Sequence, residues 1–267
     1  MPVNERVVNA IEEDLALISE AAREAGQIAL RYFRRDPEVW WKEGKSPVSQ
    51  ADLEVDGFLR RLLLEKRPDY GWLSEETADN EARLSASRTF VVDPIDGTRA
   101  FIEGRNVWCV SIAVVEDGRA IAGVLDCPAS GEFFSATLGG GARRNGSPIA
   151  VREPGRDYAV AGPRNMLHGL PPDVYARVTP HPYIPSLAYR VAMVAGGVLD
   201  ATFIKPASHD WDLAAADVIL SEAGGRIVDG SGKRPHYAGP DLRRGALAAG
   251  SGRLLEIMAD VVAHIRE

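Results

Sequence analysis

Between Thr89 and Val151 the chain reads almost without interruption as β-structure, and this stretch constrains the fold more than any other. TFVVD is an apolar run that ends on Asp93. Residues 107–116 and 119–126 read as strands joined at Asp117-Gly118, a dipeptide that suits the positive backbone angles of a tight hairpin. Residues 132–137 follow, then the glycines 139–141, then Asn145-Gly146, a second hairpin signal. The triple glycine lacks the Lys-Ser/Thr of a phosphate-binding P-loop and reads as a turn.

Helical spacing flanks this block. Ile11, Leu15, Ile18, Ala22 and Ile28 recur at helical intervals and predict a helix over 4–35, ended by Asp36-Pro37. The segment 42-KEGKSPVSQAD-52 reads as a loop into a second helix reaching about Lys66. Ser49 is its N-cap, and Asp52 three residues on completes a capping box. Residues 70–73 predict a short strand running into 74-SEE-76. Beyond about Arg152, apolar pieces (158–161, 201–204, 245–249) alternate with helical ones (187–196, 211–223, 252–265). A run of strands followed by alternating elements predicts an α+β half over 1–155, with an antiparallel sheet, and an α/β half over 156–267.

Composition excludes several classes of function. A formal net charge of −7 disfavours a nucleic-acid backbone as partner, which calls for a basic stripe. No apolar run approaches the ~20 residues that span a bilayer. The N-terminal MPVNERVVNAIEEDL is charged and unlike a signal peptide. Two cysteines, Cys109 and Cys127, provide no disulfide framework or zinc pattern and read as buried small hydrophobes. The expectation is a cytoplasmic protein with no membrane partner.

Chemistry concentrates in 93-DPIDGTRAF-101. Asp93 closes an apolar strand, Pro94 fixes φ, and Asp96 returns a second carboxylate to the same side. Gly97 permits a backbone conformation that a side chain would block. Gly97 and Thr98 begin a short helix, and backbone N–H groups there attract phosphate oxygens. Two carboxylates ~4 Å apart repel by about 4 kcal/mol at an effective dielectric near 20, so one protonates or a cation bridges them. Glu75-Glu76 ends the preceding strand, and Asp212 opens the helix 211-WDLAAADVILSEAGG-225. Singly, each acid fits a plain role: a turn, a solvated surface, a helix start. Together they exceed what one shared proton can relieve, and oxygen-only donors favour magnesium, or manganese, over zinc.

These residues resemble the inositol monophosphatase family of magnesium-dependent, lithium-sensitive phosphatases. DPIDGTRAF matches its DPIDGT-x-x-F, and WDLAAADVILSEAGG matches its W-D-x-A-A signature with an E-A-G-G ending. SEE stands at its G-E-E, and SPVSQAD resembles its S-P-V-T-x-A-D with Ser49 in place of the threonine. The resemblance runs from residue 42 to 225 and implies a layered αβαβα sandwich assembled as a homodimer. It further implies that Glu75, Asp93 and the Ile95 carbonyl hold one Mg²⁺ and that Asp93, Asp96 and Asp212 hold a second. Glu75 serves a weaker third ion and counts with Asp52 and Thr98 among the catalytic residues. Asp52 and Thr98 orient and deprotonate the attacking water, the Gly97 and Thr98 amides receive the phosphate, and Lys42 has about the spacing of a family lysine near the metals. No covalent phosphoenzyme is needed.

The substrate implied is a small phosphorylated metabolite, inositol monophosphate first. Seven residues before Asp212, where inositol phosphatases commonly carry a sugar-binding Glu, stands Lys205. It fits either an exposed surface lysine or a cation for a second phosphate, which brings in adenosine 3′,5′-bisphosphate, with Arg164 and Arg190 as possible helpers. Histidinol phosphate is a third reading, opposed by the like charge of Lys205. His209, three residues before Asp212, is a candidate pocket residue. A regulatory partner-binding protein on the same fold is the alternative that is not an enzyme; a chain kept only for binding could lose Glu75, Asp96 or Asp212, and all three remain.

Overall fold

The fold is that of a computed structural model, which describes residues 2–42, 46–153 and 155–265. Helix α1 (Pro2–Leu30) buries Ile11, Ile18, Ala21, Ala22, Ala25 and Ala29 along one stripe. It stops at Leu30 rather than residue 35, and Arg34 and Asp36 have φ of 60° and 53°, left-handed values that a helix cannot propagate. The stretch predicted as a loop instead contributes a two-stranded antiparallel hairpin, β1 (Val39–Lys42) with β2 (Ser46–Ser49). Val39-Trp40-Trp41 has the β-favouring character for it; residues 43–45 lie outside the described residues. Helix α2 (Gln50–Lys66) starts where predicted, because the Ser49 N–H donates to Asp52 Oδ2 at 2.8 Å and closes the capping box.

A seven-stranded sheet follows, with spatial order equal to chain order: β3 (Gly71–Ser74), β4 (Arg88–Asp96), β5 (Cys109–Glu116), β6 (Arg119–Cys127), β7 (Glu132–Thr137), β8 (Gly141–Arg144) and β9 (Ser147–Pro148). Its pairs are antiparallel, as the hairpin dipeptides require, except that β3 and β4 run parallel. Asp117 and Asn145 take φ of 50° ahead of Gly118 and Gly146, so both predicted turns are present. Helix α3 (Thr98–Ile102) leaves the end of β4.

The second half supplies β10 (Tyr158–Ala161), α4 (Arg164–Leu167), α5 (Pro172–Tyr175), β11 (Val178–Pro180), α6 (Leu187–Ala195), β12 (Ala201–Ile204), β13 (Ser208–His209), α7 (Asp210–Glu222), β14 (Arg226–Val228), β15 (Arg243–Arg244), β16 (Leu247–Gly250) and α8 (Gly252–Ala263). A mixed five-stranded sheet forms in the order β11-β10-β12-β16-β14.

Burial sorts these elements into five layers. One face of the large sheet, with Phe90, Val92, Val110, Ile112 and Val124, packs on α1 and α2. The other face, with Val91, Ala113, Leu125 and Phe134, packs on α6 and α7, whose far sides meet Ile204, Ile227 and Ala249 of the small sheet. Phe203, Ala248 and Val228 on that sheet's outer face pack on α4, α5 and α8. The αβαβα sandwich is therefore present, and each fully buried Val, Leu, Ile or Phe in it contributes about 1.5–3 kcal/mol. The alanines 214–216 let α7 lie close on the sheet; a Cβ at Gly123 would come within 2.6 Å of Val218 and 2.9 Å of the Ala215 backbone.

Candidate metal centre and active-site cavity

Parallel pairing of β3 and β4 brings their carboxyl ends side by side. Ser74 is in register with Val92, and the Glu75 N–H donates to the Val92 carbonyl at 3.2 Å, so Glu75 stands next to Asp93. The alternation of β4 continues through Asp93, which shares the Val91 face and looks toward the α7 layer. Asp212, in the first turn of α7, is tied there by the His209 N–H at 2.6 Å. Three elements thus converge, and ligand oxygens of Glu75, Asp93 and Asp212 lie within 4.8 Å of one another. Among the described residues this is the one such group of metal-ligating side chains.

The pairing of β4 with β5 is irregular between Asp93 and Asp96, where the strand bulges. Asp93 Oδ1 accepts from the Ile95 N–H at 3.0 Å, and the turn ends on Gly97 with φ of 94°. An L side chain rarely adopts that angle, and a Cβ there would sit 2.9 Å from Ser186 Cβ and 3.1 Å from the Val107 carbonyl. Past the glycine, the Thr98 hydroxyl lies 3.1 Å from both Asp52 Oδ1 and the Ile95 carbonyl. Asp52 is buried and also accepts from the Ser49 hydroxyl at 2.5 Å.

Asp96 has a different environment from the other acids. Its carboxylate faces the start of α6, where Oδ2 accepts from the Ser186 hydroxyl and from the Ala188 N–H at 2.7 Å, and Oδ1 accepts from the Leu187 N–H at 3.1 Å. Ser186 also caps α6 through the Tyr189 N–H at 3.1 Å. Sequence reading missed this partner, although a serine before the apolar run 187–195 is an N-cap signal. Lys42 reaches the other end of the acid row, with Nζ 2.6 Å from the Glu76 carboxylate and 3.4 Å from Glu75 Oε1.

A cavity of about 460 Å³ opens over the acids. Glu75, Asp93, Asp96, Gly97, Thr98 and Asp212 line it, as do Arg99, Arg190, Lys205 and Ser208. His209 does not; its ring stacks on Trp211 at 4.6 Å, with 7° between the planes. Arg164 is absent from the lining as well.

Electrostatics follow from this crowding. Burial pushes the Asp93 carboxyl well above its usual range, and the charges of Glu75, Asp96 and Asp212 add to it. Burial and then Asp96 push Asp212 up likewise. Burial also raises Asp52 and Asp96 to about 6, against hydrogen bonds that favour their ionised forms, and Glu76 to about 7. At 4.8 Å and an effective dielectric near 20, each ionised pair of the trio repels by about 3.5 kcal/mol. Hard carboxylate donors with no histidine or cysteine among them fit a hard divalent cation, which would turn that repulsion into attraction.

Comparison with known proteins agrees with the geometry. The sequence profile of the inositol monophosphatase family matches residues 10–267. A histidinol-phosphatase of Chlorobaculum parvum is 33% identical over 245 residues, covering 86% of this chain and 90% of its own length. An inositol monophosphatase of Dictyostelium discoideum is 30% identical over 236 residues, covering 83% and 86%. Among solved structures, the extragenic suppressor protein suhB of Bartonella henselae superimposes with a TM-score of 0.82 at 28% identity, covering 94% of this chain and 99% of that one. An IMPase of Thermotoga maritima gives 0.82 at 26% identity, covering 94% and 97%.

Proposed function

The chain belongs to the inositol monophosphatase family, a family of phosphoric monoester hydrolases, and on that footing we propose that it is a Mg²⁺-dependent phosphomonoesterase acting on a small phosphorylated metabolite, with inositol monophosphate first among its substrates. The observation that carries this reading is the convergence of Glu75, Asp93 and Asp212 in one cavity with Thr98. Glu75, Asp93 and the Ile95 carbonyl would hold the first ion, and Asp93, Asp96 and Asp212 the second; Glu75 would serve a weaker third. Asp96 Oδ1 accepts a single hydrogen bond among the described residues, and a carboxylate oxygen with one donor keeps a lone pair for a cation. Bound there, such ions would neutralise phosphoryl charge and lower the pKa of a coordinated water below its free value.

The chain's own groups do the rest. The Thr98 hydroxyl, in reach of Asp52, orients the attacking water and relays its proton. Asp52, with its carboxyl raised to about 6, can accept that proton near neutral pH. Gly97 turns the backbone so that the Gly97 and Thr98 amides can meet phosphate oxygens at the start of α3. Water attack leaves inorganic phosphate and the free alcohol, with no phosphoenzyme between.

A nucleoside bisphosphate is the second reading, favoured by Lys205 in the cavity lining. Histidinol phosphate, named for some relatives, ranks third because the Lys205 ammonium opposes its cationic amine. The reading includes a homodimer in the cytoplasm, and no helix among the described residues is long and apolar enough to cross a membrane. The test is phosphate release from inositol 1-phosphate, adenosine 3′,5′-bisphosphate and histidinol phosphate, with Mg²⁺, with EDTA and with added Li⁺. Release that needs Mg²⁺ and is inhibited by Li⁺ supports the proposal. Release from none of the three, or release that persists in EDTA, counts against it.

A further inference from the structure

Among the described residues, Arg190 is a buried cation that no acid meets in an ion pair. The residue is 8% exposed, and its Nε has no hydrogen-bond partner among the described residues. Its other nitrogens make two contacts, to the Ile184 and Phe203 carbonyls, both at 3.4 Å and therefore at the long end of hydrogen bonding. The carboxylate whose charge reaches it is Asp96, and its oxygens accept hydrogen bonds from Leu187 and Ala188 at the start of α6. A guanidinium stays charged in proteins, and burying one unpaired is costly. It is kept here on the lining of the active-site cavity.

Two neighbours in the lining also lack a partner among the described residues. Lys205 makes no hydrogen bond or ion pair among the described residues, although its charge is felt at Asp212. Ser208 is buried, and its hydroxyl has no partner among the described residues. Arg190 comes from α6, Lys205 from the end of β12 and Ser208 from β13, so two buried unpartnered donors and one solvent-facing ammonium reach one cavity from three elements. The acid cluster, with the cations it would hold, already suits the scissile phosphate. These donors therefore await a different group.

We propose that Arg190, Lys205 and Ser208 form a second anion subsite and that the preferred substrate is a phosphomonoester whose alcohol carries another phosphate or a carboxylate. This rests on the phosphatase reading and, within it, moves the doubly anionic ester ahead of the inositol monophosphate that family resemblance places first. The planar fork of Arg190 suits either anion, since both present two oxygens in one plane.

The experiment compares initial rates in Mg²⁺ for pairs of esters that differ by one anion: inositol 1-phosphate against inositol 1,4-bisphosphate, and glycerol 2-phosphate against 2-phosphoglycerate. The doubly anionic member should be favoured in kcat/KM by about tenfold or more, the scale of one charge-assisted hydrogen bond. Whichever pair responds identifies phosphate or carboxylate. Arg190→Met and Lys205→Met should each pull that ratio toward one, mainly through KM; Lys205 is exposed, so its variant stands if the buried substitution does not fold. A ratio near one in the unaltered enzyme, or a ratio retained in the variants, overturns the subsite. If Mg²⁺ yields no release from any ester, the phosphatase reading fails separately. Calorimetry of the metal-free protein with 2-phosphoglycerate and with glycerol 1,3-bisphosphate then decides the subsite: binding weakened about tenfold in the variants supports it, and equal or absent binding rejects it.

Discussion

Asp93→Asn should make the metal-free protein more stable and at the same time blind to Mg²⁺. Glu75, Asp93 and Asp212 hold oxygens within 4.8 Å, so each ionised pair costs about 3.5 kcal/mol, and Asp93 belongs to two of the three pairs. Burial already drives Asp93 toward its protonated form, which caps the relief an amide can bring. Net gain near pH 8 in EDTA should be about 2 kcal/mol, or roughly 4–8 °C in Tm for a chain of this size. The amide oxygen can still accept from the Ile95 N–H, now at 3.0 Å, so the turn survives. Thermal melts in EDTA and in millimolar Mg²⁺, for both proteins, complete the test. The unaltered protein should gain stability with Mg²⁺ by mass action and the variant should not, so their order reverses between conditions. A variant less stable than its parent in EDTA, or one that gains as much from Mg²⁺, would refute the reasoning.

Three further outcomes are expected. Gly97→Ala forces an L side chain to φ of 94° and a Cβ to 2.9 Å from Ser186, so urea melts should show a loss of about 1–3 kcal/mol, with kcat/KM falling as the turn shifts. Thr98→Ala removes the hydroxyl beside Asp52 and should lower kcat by about 10²–10⁴ with little change in Tm, as single-turnover rates and a melt would register. Asp126, packed against Gly26 of α1, has its carboxyl raised by burial from 3.8 to about 7. Between those values the folded chain keeps a proton that the unfolded chain releases, so stability present below about pH 4 is lost as pH rises toward 7. Asp126→Asn should therefore stabilise near pH 8 by up to about 4 kcal/mol and do almost nothing near pH 4, measured by urea melts at both.

Sequence spacing carried the large sheet because Asp117-Gly118 and Asn145-Gly146 demand specific backbone angles, and it located Asp52 because a capping box is a three-residue pattern. The αβαβα layering was legible through the two long signatures rather than through periodicity. What spacing could not supply was convergence. The neighbourhood of Glu75 and Asp93 depends on parallel pairing of β3 and β4, and that of Asp212 on how α7 crosses the sheet. The partners of Asp96 at Ser186, Leu187 and Ala188 lie some ninety residues on, beyond any local pattern. Elements of two to four residues, such as α4, α5 and the hairpin of β1 with β2, are too short to show a period. His209 illustrates the same limit: proximity to Asp212 in sequence suggested the cavity, while the ring stacks on Trp211.

The measurement that bears most directly on the central claim is Mg²⁺ titration of the metal-stripped protein, following phosphate release from inositol 1-phosphate. Rates should rise from baseline with saturable Mg²⁺ dependence, and the Asp93→Asn protein, folded by its melt, should stay at baseline throughout. Full activity in the stripped protein, or equal activation of the Asp93→Asn protein, would contradict the account.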